Sequence, residues 1–175
     1  RERGIAISNA SGYATQAVAE LVLGFMIQLL RNVSQTEVRC REGKTKDGLV
    51  GNLLQGKTVG LVGAGAIGKR VASLCKVFGC RVIIYNRSKV NDDAIDEQVS
   101  LDELLKQADI VSLHTPLTPE TTNLIGQVQL AMMKKSAYLI NTARGGVVDS
   151  QALANALKDG VIAGAALDVF EMEPP

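Results

Sequence analysis

Gly63, Gly65 and Gly68 are spaced so that backbone, rather than side chains, could bind a ligand. In Gly63-Ala64-Gly65-Ala66-Ile67-Gly68 the first glycine permits a tight turn and the second lets a pyrophosphate approach the chain. The third lets a following helix pack closely on a preceding strand. Amides of the first helical turn, at Ala66 and Ile67, would then face phosphates with the positive end of the helix dipole. Without a ligand, such a loop is merely a strand-to-helix turn, so its context must decide. About twenty residues past the loop, where a carboxylate commonly grips an adenosine ribose, stands Asn86-Arg87-Ser88. An acidic side chain would repel a 2′-phosphate, whereas Arg87 could pair with one and Ser88 could donate to it. That favours NADP(H). The other reading is a solvated Arg87 and an NAD(H) site lacking its usual carboxylate.

The context is the one the loop requires. Thr58–Val62 is a short apolar run bounded by glycine, as in a buried parallel strand. Helical spacing follows over Ile67–Phe78, then a second strand at Arg81–Tyr85. Further strands are predicted at Asp109–Leu113, Ala137–Asn141 and Ile162–Val169, with helices from Ser100 and over Asp149–Lys158. Ser100 followed by Glu103 is an N-cap signature. Strands alternating with helices imply right-handed crossovers and a doubly wound, Rossmann-type parallel sheet over residues 57–175. Before it, Thr15–Arg31 reads as a long helix with so few polar positions that it should be buried on more than one side. Asn32–Asn52 reads as a short helix and a connecting loop.

Composition narrows the partners. The 175 residues suit one domain, 46% apolar and 21% charged. Nineteen Lys and Arg against 18 Asp and Glu remove the electrostatic case for nucleic acid or an acidic membrane. The most apolar stretch, Ala17–Leu30, contains Glu20 and Gln28 and falls short of the ~20 apolar residues of a membrane span. Cys40, Cys75 and Cys80 lack metal-ligand spacing and read as buried reduced thiols of a cytoplasmic protein, so no metal site is expected.

Five segments in register extend the reading from fold to family: Val18-Ala19-Glu20-Leu21, the glycine loop, His114-Thr115-Pro116-Leu117-Thr118-Pro119-Glu120-Thr121, Asn141-Thr142-Ala143-Arg144-Gly145-Gly146, and Asp168-Val169-Phe170-Glu171-Met172-Glu173-Pro174. Together they resemble the D-isomer-specific 2-hydroxyacid dehydrogenases, which include phosphoglycerate, glycerate and D-lactate dehydrogenases and glyoxylate/hydroxypyruvate reductases. Asn9–Thr15 is most similar to the glycerate dehydrogenase and hydroxypyruvate reductase branches.

The resemblance implies a hydride transfer between a nicotinamide cofactor and a small 2-oxoacid. Arg144 matches the substrate-binding arginine, whose planar fork suits a carboxylate. Glu173 matches the glutamate that pairs with the catalytic histidine and raises its pKa. Asp168 matches a residue near the nicotinamide amide, Thr142 and Ala143 lie along the nicotinamide ribose, and His114, Thr115 and Pro116 line the cofactor site.

The family's acid–base histidine lies beyond the Glu-Pro motif, and the sole histidine here, His114, reads as a loop-shaping residue at least as readily as a direct cofactor contact. The substrate domain of the family is likewise not matched. The expectation is therefore a cofactor domain that binds dinucleotide but is inactive alone, and that forms a homodimer through the long helix. The competing reading is a non-catalytic dinucleotide-sensing regulatory module of the same fold. Formate dehydrogenase and adenosylhomocysteine hydrolase relatives are further alternatives; the Asn141–Gly146 and Asp168–Pro174 motifs argue against the latter.

Overall fold

The five residues of β1, Thr58–Val62, four of them β-branched or aliphatic, form the middle of a six-stranded sheet in a computed structural model that describes residues 12–172. Around it lie β2 (Arg81–Tyr85), β3 (Glu97–Gln98), β4 (Ile110–Leu113), β5 (Tyr138–Asn141) and β6 (Gly164–Leu167), in the order β3-β2-β1-β4-β5-β6. Every neighbouring pair is parallel. The chain winds outward from β1 to β3, returns to β4 and winds out the other way. This is the expected doubly wound order, with its switch point between β1 and β4.

Side-chain alternation divides the core between the two sheet faces. Val59, Leu61, Val82, Ile84, Ile110 and Ile140 face α1 (Thr15–Arg31) and α3 (Ala66–Val77). Val62, Ile83, Val111, Leu113 and Leu139 face α4 (Leu101–Gln107), α5 (Gln127–Met132) and α6 (Ser150–Lys158). The expected cap is present on α4, where the Ser100 hydroxyl accepts from the Glu103 amide and the Glu103 carboxylate accepts from the Ser100 amide. Asp149 caps α6 through the Ala152 amide at 2.9 Å.

Several expectations change. The long helix buries one stripe completely, Ala19, Val22, Met26 and Leu30. Val18, Leu21, Leu23, Phe25 and Leu29 are only half-buried and Ile27 is exposed. Within this chain α1 is therefore sealed on one side, by α3 and the β5–β6 end of the sheet. The short helix, α2 (Val33–Arg41), has no buried residue. That leaves Cys40 exposed, while Cys75 and Cys80 are buried as expected. A strand and an α-helix escaped the sequence pattern, besides a single 3-10 turn at Gly145–Val147. β3 is only two exposed residues, too short for alternation, and α5 is six residues, too short for a 3.6-residue period. The strands predicted at 109–113, 137–141 and 162–169 are each trimmed at their ends. Glu173, with Pro174 and residues 9–11 of the opening segment, lies outside the described residues.

Among the described residues no single helix is long and apolar enough to cross a membrane, and no group of three or more His, Cys, Asp or Glu could hold a metal.

Candidate functional site

Register turns five distant segments into one line. Tyr85, Val62, Leu113, Asn141 and Leu167 are paired laterally across the sheet. The next residue on each strand is Asn86, Gly63, His114, Thr142 and Asp168, so the candidate segments leave the sheet side by side. Four inter-strand spacings of about 4.8 Å make this rim roughly 19 Å long. It lies at the carboxyl ends of parallel strands and across the switch point, where open sheets of this kind take ligands.

The glycine loop is built as its spacing requires. Gly63 has φ +99°, a left-handed conformation that disfavours side chains. Its amide donates to the Tyr85 carbonyl at 2.8 Å, and a Cβ there would lie 2.8 Å from the His114 carbonyl oxygen. A Cβ on Gly68 would strike the Gly63 carbonyl oxygen, so helix and strand touch through backbone alone. Gly65 differs from both, because open space faces it. It is also the N-cap of α3, which has no side-chain cap and no acidic residue in its first turn. The amides of this twelve-residue helix are thus left for an outside anion.

Asn86 is a strut between the loop and the turn after β2. Its Oδ1 accepts from the Ala64 amide at 3.2 Å, and its Nδ2 donates to the Ser88 carbonyl at 2.9 Å and hydroxyl at 3.1 Å. Arg87 and Ser88 are exposed on that turn. Arg87 forms no hydrogen bond or ion pair among the described residues. A hydrogen bond with Thr118 first, then a backbone hydrogen bond, and last the charge of Arg87 hold the exposed Glu120 carboxyl below its ordinary range.

His114 is a loop-shaping residue in its contacts. Its amide donates to the Val62 carbonyl at 2.8 Å and its Nε2 lies 3.0 Å from the buried Ser112 hydroxyl. Burial pushes its pKa down to about 4, so the ring is neutral near pH 7. Pro116 anchors the following loop, its carbonyl accepting from the Thr121 hydroxyl at 2.6 Å.

On β5, buried Asn141 shapes the arginine segment: its Oδ1 accepts from the Ala143 amide at 3.0 Å and its Nδ2 donates to the Arg144 carbonyl at 2.9 Å. Arg144 is exposed, with its guanidinium folded back on the Ala143 carbonyl at 2.6 Å. Gly145 is pressed against the backbone of Phe170 and Glu171, with no room for a Cβ, which brings the Arg144 and Asp168 segments together. Asp168 is exposed, and its amide donates to the Asn141 carbonyl at 3.0 Å.

The hydroxyls of Thr115 and Thr142 supply an independent test of fit. Both oxygens are buried and have no hydrogen-bond partner among the described residues. An unmade bond on a buried hydroxyl costs about 1–3 kcal/mol. Two such groups at the ends of neighbouring strands, next to an uncapped helix, fit a polar ligand carrying both phosphate and ribose. Sequence reasoning missed Gln98 and Glu120 as contributors to the rim. Gln98 lies on the unrecognised β3, and Glu120 belongs to a motif whose role was assigned only to its first three residues.

Residues 23–175 match the family model described as D-isomer specific 2-hydroxyacid dehydrogenase, NAD binding domain. The hydroxypyruvate reductase of Thermotoga maritima is 42% identical over all of this chain and 58% of its own length. Among solved structures, the TT0316 protein from Thermus thermophilus superposes with TM-score 0.92 at 44% identity, covering all of this chain and 57% of that one. An acyclic imino acid reductase (Bsp5) in complex with NADPH and D-Arg superposes with TM-score 0.89 at 38% identity, covering 98% and 56%. The chain thus spans a little over half the length of these relatives.

Proposed function

The chain belongs to the D-isomer specific 2-hydroxyacid dehydrogenase family, as its NAD binding domain, and we propose that it binds NADP(H) in preference to NAD(H). It does so for an enzyme that interconverts a small 2-oxoacid, such as glyoxylate or hydroxypyruvate, with its D-2-hydroxyacid. The observation that carries the cofactor reading is the uncapped start of α3 at open Gly65, set beside the unpartnered hydroxyls of Thr115 and Thr142. The preference rests on Arg87, free at the position where a carboxylate would exclude a 2′-phosphate.

When bound, the nicotinamide supplies or receives the hydride. This chain's residues would hold it: the α3 amides with Gly63, Gly65 and Gly68 would take the pyrophosphate, Thr115, Thr142 and Ala143 the ribose, and Asp168 the carboxamide end. Arg144 is the group for the substrate carboxylate, because its fork is exposed and needs only to release the Ala143 carbonyl. Glu173 is assigned to hold a protonating histidine. His114 is not that histidine, since a ring with a pKa of about 4 carries no proton to give near neutral pH. The 175 residues by themselves should therefore bind dinucleotide without turning over 2-oxoacids.

The half-buried apolar flank of α1 supports a homodimer, and the buried thiols of Cys75 and Cys80 fit a reducing, cytoplasmic setting. Calorimetric titration with NADPH and NADH tests the cofactor reading. NADPH should bind about tenfold more tightly, a difference of about 1.4 kcal/mol, and Arg87→Ala should abolish that margin. A preference for NADH that survives Arg87→Ala would refute it.

A further inference from the structure

Gln98 makes three hydrogen bonds to one turn that lies eight to twelve residues before it. Its Nε2 donates to the Asn86 and Ser88 carbonyls, each at 3.0 Å, and its Oε1 accepts from the Val90 amide at 3.0 Å. Carbonyls only accept and an amide N–H only donates, so the partners themselves fix which way the Gln98 amide points. The two carbonyls bracket Arg87. The same turn is tied to the glycine loop by Asn86, through the Ala64 amide. β3 holds Gln98 in place by pairing it with Ile84, and the Val99 amide donates to the Ile84 carbonyl at 2.9 Å. A continuous chain of bonds therefore runs from the sheet edge, through the backbone on either side of Arg87, to the phosphate loop. Gln98 is exposed and lies outside the hydrophobic core. A side chain committed to three backbone groups of one turn has the geometry of a positioning device.

We propose that Gln98 is a positioning residue that fixes the Asn86–Val90 turn and thereby sets how strongly the crevice discriminates a 2′-phosphate from a 2′-hydroxyl. The proposal rests on the reading of Arg87 as the 2′-phosphate contact. Gln98 touches no part of the ligand. It acts by holding the Arg87 backbone still, so that the guanidinium starts from one anchor point and loses less freedom on binding.

The test uses 2′,5′-ADP and 5′-AMP as probes of the adenosine end, titrated calorimetrically into the whole chain. Gln98→Glu keeps the side chain's length and its bond from the Val90 amide, but sets an oxygen against the two carbonyls it should donate to. The ratio of affinities, 2′,5′-ADP over 5′-AMP, should fall about fivefold in Gln98→Glu and also in Gln98→Ala. The thermal midpoint should stay close to that of the unaltered chain. Exchange of the Val90 amide should speed up in Gln98→Ala but not in Gln98→Glu, a difference that general loss of structure would not produce. An unchanged ratio in both variants overturns the proposal. Arg87→Ala, measured alongside, separates the two ideas. If it lowers the ratio while the Gln98 variants do not, the 2′-phosphate reading stands and the positioning role fails. If it leaves the ratio unchanged while they lower it, Arg87 is not the contact and Gln98 still controls the turn.

Discussion

His114 gives the chain one acid-sensitive link whose effect on stability can be worked out. It is the sole histidine among 175 residues, and burial lowers its pKa to about 4 from an ordinary 6.5. Protonating the ring in the fold costs more than in the unfolded chain, so the unfolded state takes up the proton first. Above pH 6.5 the ring is neutral in both states and adds no pH dependence. As pH falls from 6.5 toward 4, stability declines by up to about 1.4 kcal/mol per pH unit, and below 4 the loss levels off. The total is about 3 kcal/mol, a large part of the 5–15 kcal/mol typical of a domain, and about 2 kcal/mol of it is gone by about pH 5.

Asp96, Glu103, Asp109 and Glu120 have lowered carboxyl pKa values. Their contribution is present above the ordinary carboxyl range and disappears as pH falls through their folded values. The upper part of the window therefore belongs to His114. Urea unfolding of the chain and of His114→Gln, measured between about pH 7 and 5, isolates it, because only the slopes matter and any constant offset cancels. The curves should diverge by about 2 kcal/mol across that interval. Parallel curves would refute the argument and with it the neutral, loop-shaping role of the ring.

Three further outcomes follow from contacts at the rim and in the core. Gly68→Ala should lower stability by about 1–3 kcal/mol, because its Cβ meets the Gly63 carbonyl and not a yielding side chain. It should also abolish measurable dinucleotide binding in the calorimeter. Thr142→Val removes a buried hydroxyl without a partner, so the urea midpoint should hold or rise by the equivalent of about 1 kcal/mol. Cofactor affinity should at the same time fall about two- to tenfold; unchanged affinity would mean the hydroxyl faces no ligand. Met26→Ala empties a fully buried site between α1 and α3 and should cost about 2–5 kcal/mol in urea unfolding, without altering cofactor preference.

The neutral His114 also sharpens the division of labour in the proposed enzyme. Gly63 and His114 meet backbone to backbone at the switch point, while the ring itself is held against the Ser112 hydroxyl. In the proposed reaction the proton donor is then a group other than His114. Cofactor affinity should accordingly show no histidine titration between about pH 6 and 8.

Much of this was legible in the residues. Short, mostly apolar runs marked β1, β2, β4 and β5, because a strand buried on both faces needs little else, whereas half-buried β6 was marked by a run rich in small residues. Ser100 with Glu103 marked the start of α4, because capping is a local bond between residues three apart. Glycine spacing marked the phosphate loop, because a left-handed turn and a backbone contact tolerate few other residues. What adjacency in the chain does not contain was decided by the sheet. β3 is too short to have a pattern, and it matters because parallel pairing places Gln98 beside a turn ten residues earlier. Burial of the His114 ring is not a property of its neighbours in sequence, and neither are the unpartnered hydroxyls of Thr115 and Thr142. Glycine spacing in its strand-to-helix context marked a candidate dinucleotide loop in the sequence. Only the lateral register of five parallel strands, fixed by hydrogen bonds between segments far apart in the chain, brought Asn86, Gly63, His114, Thr142 and Asp168 onto one rim.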